Sequence, residues 1–481
     1  MTASSLLTRV LLVLVFAPGV LGAQSTASQP LSLADAIRLA AQDSDALRLA
    51  RAATDRAIGQ QLQARARRMP QLSGTASYQR AIQLQFEEIT KRLGSGGDGN
   101  GGDDGGGFAD SPLARVFASP NTMVLGLNAS QTLYSGGAIG AAIDAAQSGL
   151  RAAEIGERSA RAQLVLEVAQ SYFDAQVADQ LAVIAESSFV QAERALQQTQ
   201  LGRDVGNVSE FDLIRARVQR DNARPGVIRA RTQRDIALLR LRQRLKLPLD
   251  RPLALSTTAD DIAASATTAD AVARGVVMSD RDTSLTARAP VQQASEAVRV
   301  QERLLQVARG QRRPSVALQS SYQRFAYPPE GTLLEDAWRL YFPNWTVTLG
   351  VSMPLFTGGR IKGEVAEAQA TLSEARARYE QARDAAEVDR SVAIARLAEA
   401  EAALAASIGT DTQAARAYAI AEVRFAEGLA TQLELAQTRV DLETARAYRV
   451  QATRDVALAR LTLALLNDLP LAAGVPAGIT R

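Results

Sequence analysis

The chain states most of its structure twice. Leu133-Tyr134-Ser135-Gly136-Gly137 returns as Leu355-Phe356-Thr357-Gly358-Gly359, at an offset of 222 residues. The same offset carries Gly206 onto Gly428, Leu213 onto Leu435, Arg217 onto Arg439, Ala223-Arg224 onto Ala445-Arg446, and Leu247-Pro248-Leu249 onto Leu469-Pro470-Leu471. Chance matches do not hold register for so long. Upstream, 70–80 (PQLSGTASYQR) returns as 314–324 (PSVALQSSYQR) at an offset of 244, which implies a first copy about 22 residues shorter in this stretch or an insertion in the second. Whatever one half folds into, the other must repeat. The 481 residues therefore read as one architecture built from two structural repeats, not as three ordinary domains.

The chain has no cysteine and no histidine. That removes thiol nucleophiles, disulfides, Cys/His zinc sites and every triad that uses imidazole. Only Lys91, Lys246 and Lys362 are lysines, so the remainder of the 54 basic residues are arginine, and the net charge is only +3. Such a balance gives no reason to expect nucleic acid as a partner. The arginine-rich stretch 215–246 has little aromatic interleaving and a helical pattern, and so reads as a solvated helix face.

The first 23 residues read as a signal peptide: Arg9, an apolar run at 10–16, helix-breaking Pro18-Gly19, and a small-residue stop at Leu21-Gly22-Ala23. The run is too short to span a bilayer, which takes about 20 apolar residues. No later segment reads as a transmembrane helix either, so a membrane location would have to be reached through β-strands.

Residues 31–68 have a helical pattern, with Ser32 as N-cap and two pieces meeting at Asp43-Ser44-Asp45. After Pro70 the period becomes two. Leu72, Gly74, Ala76 and Tyr78 share a face opposite Gln71, Ser73, Thr75, Ser77 and Gln79. Met123, Leu125, Leu127, Ala129 and Leu133 form a second apolar row, and Val316, Leu318 and Tyr322 a third. The last runs Trp345, Val347, Leu349, Val351, Met353, Leu355 against Thr346, Thr348, Gly350 and Ser352. Four strands with one apolar face match a transmembrane β-barrel, but a half-buried soluble sheet alternates in the same way.

Each strand pair leads into a proline-free helical run, 137–201 and 359–427, long enough to reach about 100 Å at 1.5 Å per residue. Glycine breaks at Gly202 and Gly206, and at Gly428, precede returning helices at 209–245 and 431–467. Alanine and other small apolar residues recur at coiled-coil-like spacing, which predicts long antiparallel hairpins packed side by side. Pro225-Gly226 interrupts the first return, and a kink is expected there. The insert 94–107 (GSGGDGNGGDDGGG) is too glycine-rich for a core, and its aspartates lack the spacing of a calcium-binding β-roll, so it reads as a solvated loop.

Four strands cannot close a membrane barrel, and open edges in lipid leave backbone groups unpaired. Several chains must pool their strands; two would give eight and three would give twelve. Long hairpins continuing such a barrel form a conduit, and no catalytic residue, cofactor or metal is expected.

Taken together, Pro70-Gln71-Leu72 after an arginine-rich helix, the paired Gly-Gly motifs opening each long helix, and the glycine turns followed by Val208-Ser-Glu-Phe-Asp-Leu and Ala430-Thr-Gln-Leu-Glu-Leu resemble TolC-type outer membrane efflux proteins over about residues 31–471. The resemblance implies a mainly α fold with a membrane β part. Homotrimers share a 12-stranded β-barrel, four strands per chain, joined to a trimeric α-barrel in the periplasm. It also implies a Gram-negative outer membrane location with most of the mass periplasmic, and a periplasmic adaptor and an inner membrane transporter as partners. The function implied is a passive, gated exit duct for efflux or type I secretion. The expected division is a signal peptide at 1–23, a first repeat at 24–255 and a second at 256–481. The first holds a β-hairpin at about 71–133 and a helical hairpin at about 136–246, the second a β-hairpin at about 315–355 and a helical hairpin at about 358–467.

In that family acidic side chains six residues past each tip glycine narrow the pore, which falls here on Asp212 and Glu434. A ring of three such carboxylates favours cations. The second acidic ring falls on Gln437, and Ala430 stands where some members have a latch arginine, so both features are weakened or supplied elsewhere. Phe425 aligns with a latch aromatic. Acidic residues in a first helical turn also answer the helix dipole, which competes with a pore role. Val205, Gly206, Asn207, Gly428 and Leu429 are the expected adaptor-docking tips. Trp338, Tyr341, Phe342 and Trp345 are the expected membrane-interface aromatics, in contact with lipid. A trimeric adhesin-like coiled coil and a periplasmic adaptor are the competing readings. The first has no need of two matching strand-and-hairpin units, and the second lacks lipid-compatible strands.

Overall fold

The computed structural model describes residues 30–82, 121–250, 252–264, 285–328 and 341–471. The signal peptide, the glycine-aspartate insert and Trp338 lie outside these residues. Element order repeats once. A helical lead-in, α1 (Leu33–Asp43) and α2 (Asp45–Ala66), is followed by β1 (Gln71–Arg80), β2 (Asn121–Ser135), α3 (Ala138–Asp204) and α4 (Glu210–Arg244). The short α5 (Ala259–Ala264) leads to α6 (Ala289–Gly310), β3 (Ser315–Ala326), β4 (Tyr341–Ser352), α7 (Arg360–Ala426) and α8 (Gln432–Leu465).

The two hairpin connections correct the expected insertion. β1 and β2 are separated by residues 81–120, whereas β3 and β4 are separated by only 327–340. The extra length therefore belongs to the first copy.

Ser32 and Ser44 start the lead-in helices by accepting from the amides of Asp35 (3.1 Å) and Leu47 (3.3 Å), which satisfies donors that a first turn leaves open. Both long helices contain 67 residues, about 100 Å at 1.5 Å per residue. Each opens on a glycine pair with positive φ, Gly136 (65°) and Gly137 (87°), then Gly358 (58°) and Gly359 (91°). This conformation is costly for residues with a Cβ, and it is why the motif ends in Gly-Gly in both halves. At Gly136 a Cβ would also fall 2.4 Å from the Gly310 carbonyl oxygen, so strand end and helix end meet there at backbone distance.

α4 continues through Pro225 without a break. α3 packs on α4, α2, α6 and α8, and α7 packs on α8 and α6. Alanine dominates the buried positions, among them Ala162, Ala169, Ala175 and Ala457, and small side chains let helix axes approach closely. The principal core lies partway along α3. Tyr172 and Phe173 are fully buried there and meet edge to face, with ring centroids 5.8 Å apart. Tyr172 Oη donates to the Leu31 carbonyl (2.7 Å) and accepts from the amides of Ser256 (3.1 Å) and Thr257 (3.0 Å). Leu31 and Leu255 form a parallel bridge at the same place. One phenol thus clips the chain's entry and the inter-repeat connection to a long helix.

Candidate conduit surfaces and tips

Among the described residues the sheet has four strands in the order β1-β2-β3-β4, every pair antiparallel. Its register joins the alternating residues of each strand into rows. Leu72, Ala129, Ser320 and Val347 form one row, Gly74, Leu127, Tyr322 and Trp345 the next. On the opposite face run Ser73, Asn128, Ser321 and Thr346, then Thr75, Gly126, Gln323 and Asn344. The apolar face is uncovered: Leu72 is 74% exposed, Trp345 72% and Val351 69%. Arg324 shares that face near the loop end and donates to Tyr322 Oη at 2.8 Å, as a snorkelling arginine at an interface does.

Two strand expectations change. β2 has an irregularity at Leu133, beyond which Tyr134 pairs with Val316, so the simple alternation that included Leu133 ends there. β4 ends at Ser352, leaving Met353 and Leu355 outside it. Of the aromatics expected at a membrane interface, Trp345 lies in an apolar row and donates from Nε1 to Ser320 Oγ at 3.0 Å. Tyr341 pairs with Ala326, whereas Phe342 pairs with Phe325 and sits on the opposite face from Trp345. Strand parity overrides the clustering that grouped Phe342 with Trp345.

Both helical hairpins turn on the same motif. Gly206 (φ 82°) donates to the Arg203 carbonyl (2.9 Å) and Asn207 to that of Gly202 (2.8 Å). Gly428 (φ 76°) donates to the Phe425 carbonyl (3.1 Å) and Leu429 to that of Arg424 (2.7 Å). These are paired Schellman closures, with glycine at the left-handed position. Val205 and Leu429 point outward, 71% and 65% exposed. Charged groups brace each turn: Arg203 Nε lies 3.1 Å from Glu210 Oε2, and Arg424 Nη2 donates to the Leu429 carbonyl at 3.2 Å. No motif in the sequence marked Arg424. It sits beside the turn that carries Ala430, where a latch arginine is expected to be missing.

Glu434 closes a capping box: its amide donates to Thr431 Oγ1 and the Thr431 amide donates to Glu434 Oε2, both at 3.2 Å. Asp212 stands at the same place in α4, where Ser209 Oγ accepts from its amide (3.1 Å) and donates to its carboxylate (2.6 Å). Gln437 donates to Asp441 Oδ1 at 3.0 Å. Phe425 packs against a small cluster of Ala195, Tyr418, Ala421, Leu435 and Leu442 that joins α3, α7 and α8 just above the second tip. Burial pushes the Tyr418 hydroxyl up, and neighbouring Glu422 adds to this.

Between the repeats, Arg439 of α8 reaches α3. Its Nη1 donates to the Ser188 carbonyl (3.0 Å) and Oγ (3.1 Å), and Ser188 Oγ donates to Glu443 Oε2 (2.7 Å). Burial pulls the guanidinium down, and Glu443 opposes the shift. Two arginines of α4 meet carboxylates of α3, Arg231 with Glu186 at 2.7 Å and Arg244 with Glu167, which fits the expected solvated helix face. Among the described residues no acidic cluster could hold a metal ion, and no helix is long and apolar enough to cross a membrane.

An uncovered apolar sheet face, a polar face behind it and paired hairpins about 100 Å long define the subunit of a barrel-and-tube channel. The chain belongs to the outer membrane efflux protein family, whose model matches residues 36–245 and 281–467. Three crystal structures have the same fold. CusC is 19% identical with a TM-score of 0.69, over 91% of this chain and 92% of that one. VceC of Vibrio cholerae is 19% identical with a TM-score of 0.69, over 90% and 96%. The open state of MtrE of Neisseria gonorrhoeae is 19% identical with a TM-score of 0.67, over 91% and 89%. No curated protein matches the chain in sequence.

Proposed function

We propose that three copies of this chain close a twelve-stranded barrel in the outer membrane of a Gram-negative bacterium and a six-sector helical tube in the periplasm. The assembly is the passive exit duct of a tripartite pump, fed by an inner membrane transporter through a periplasmic adaptor. One observation carries the reading: both faces of the four-stranded sheet are continuous across β1 to β4, one apolar and exposed, one polar, while among the described residues β1 and β4 are open edges. In lipid such edges must pair, and only closure on further copies pairs them all.

Exposed tip residues Val205 and Leu429 beside Gly206 and Gly428 support adaptor docking at the hairpin turns. The exposed Glu434, with Asp212 at the matching place, supports an acidic constriction close to those turns. Trp345 and Arg324 support lipid contact at the two levels of the apolar face where they stand.

Reconstitution of the detergent-purified protein into a planar bilayer tests the duct. Discrete conductance steps are expected from a species with three times the mass of the chain after removal of the signal peptide. A monodisperse monomer without conductance would reject the reading.

A further inference from the structure

Within one chain α4 packs on α3, α3 on α8 and α8 on α7. Among the described residues α4 and α7 do not pack on one another and stand as free edges of the wall. The seam between the repeats is therefore α3 against α8. The 222-residue offset maps α3 onto α7 and α8 onto α4, so the counterpart of that seam is α7 against α4, which a single chain does not contain.

The internal seam is tied by the Arg439, Ser188 and Glu443 cluster, with Arg439 only 9% exposed. The offset carries Ser188 onto Thr410, Arg439 onto Arg217 and Glu443 onto Asp221. Hydroxyl, guanidinium and carboxylate are each retained, and the two charges keep their four-residue spacing on one helix face. The copies differ in what surrounds them. Arg217, Thr410 and Asp221 are all exposed, and Arg217 has no hydrogen-bond or ion-pair partner among the described residues. Thr410 Oγ1 donates to its own helix at Ala406 (3.0 Å), and Asp221 pairs with adjacent Arg220 (2.8 Å).

We propose that Arg217 and Asp221 on α4 of one chain grip Thr410 on α7 of the next, so that the seam between chains copies the seam within each chain. The inference rests on the trimer reading and adds the residues that join the copies. The guanidinium meets the Thr410 hydroxyl and carbonyl, as Arg439 meets those of Ser188, and the Asp221 carboxylate accepts from the hydroxyl. The copy is the weaker one: Asp221 is a methylene shorter than Glu443 and is shared with Arg220. Another ion pair of the internal seam, Asp174 with Arg454 at 2.6 Å, maps onto Arg396 and Thr232 and is not reproduced. Arg217 is left to fix the register between chains.

The natural lack of cysteine makes crosslinking direct. Arg217→Cys with Thr410→Cys, treated with a short bismaleimide in detergent, is expected to give covalent dimers and trimers on a denaturing gel. The control pair Ser188→Cys with Arg439→Cys crosslinks within the chain and keeps monomer mobility. Arg217→Glu is expected to lower the temperature at which trimers dissociate, and Thr410→Arg added to it to restore most of the loss. Trimers by light scattering that do not crosslink at 217 and 410, or that are indifferent to the charge reversal, would overturn the seam alone. Absence of trimers in the unmodified protein would overturn the trimer reading with it.

Discussion

Thr431 and Glu434 complete each other at the start of α8, each amide donating to the other's side chain at 3.2 Å. The carboxylate proposed for the constriction is therefore also a cap, and truncation to alanine would remove both roles at once. Glu434→Gln separates them, because glutamine can still accept from the Thr431 amide. The expected outcome is reduced cation selectivity and weaker trivalent-cation block in bilayer recordings, with thermal stability near wild type. Thr431→Ala should do the converse, losing about 0.5–2 kcal/mol of helix stability with selectivity retained.

Gly136 and Gly358 share positive φ but differ in surroundings, since only Gly136 lies against another backbone. Alanine at Gly358 should cost about 1–2 kcal/mol of conformational strain. Alanine at Gly136 should cost more, because Gly310 must shift as well. Comparing the yields of folded, detergent-resistant protein in membranes measures the difference, and equal yields would contradict the close approach.

Val347 and Thr346 are neighbours in β4 on opposite faces of the sheet. Arginine at Val347 should hinder insertion into lipid vesicles, by about 2–4 kcal/mol where the site lies at the bilayer midplane. Arginine at Thr346 should insert normally and change conductance instead. Folding into vesicles of defined lipid, followed by mobility shift, reads both.

Tyr172 Oη has three hydrogen-bond partners in a fully buried site. Phenylalanine keeps the ring and orphans the Thr257 amide, while the Ser256 amide still donates to the Leu31 carbonyl at 3.1 Å, a loss of about 1–3 kcal/mol. Hydrogen exchange at Thr257 should rise ahead of exchange at Ser256 and in α3.

Lys246 is the non-glycine residue with positive φ (53°) among those described, and its ammonium lies 2.7 Å from Asp45. The Lys246 and then the Arg48 hydrogen bonds hold the Asp45 carboxyl below the ordinary carboxylate range. A carboxyl depressed in the folded state stabilises above its unfolded value, about 3.9, and loses that contribution as pH falls through the folded one. Asp45→Asn should therefore lower the thermal midpoint slightly at neutral pH, and the difference from wild type should shrink as pH falls through the depressed folded value.

Much of this was legible because strand parity and helix caps are local. Ser32, Ser44 and the tip glycines announce their roles by residue type, and the repeat places each element twice. What escaped the sequence was relational. Thr431-Gln-Leu-Glu434 has capping-box spacing, yet an acidic residue after a tip glycine also suits a pore, and one letter served both. The irregularity at Leu133 leaves no signature in residue type, so only pairing with β3 reveals it. Phe342 looked like part of an aromatic belt until register put it beside Phe325. Arg217 and Arg439 are indistinguishable as letters, and it is the contact of Arg439 with Ser188 on α3 that buries one, while Arg217 faces away and stays exposed.

α3 and α7 contain the same number of residues, although few of their side chains coincide. In a wall made of staves, a single added residue would rotate every later side chain by about 100° and lift one tip above the others. Insertions are thus excluded from the staves and accumulate at the hairpin ends, as the long connection between β1 and β2 illustrates. The quantity held fixed between the halves is a length, and a mating partner at the far end would meet a level rim whatever the side chains above it become.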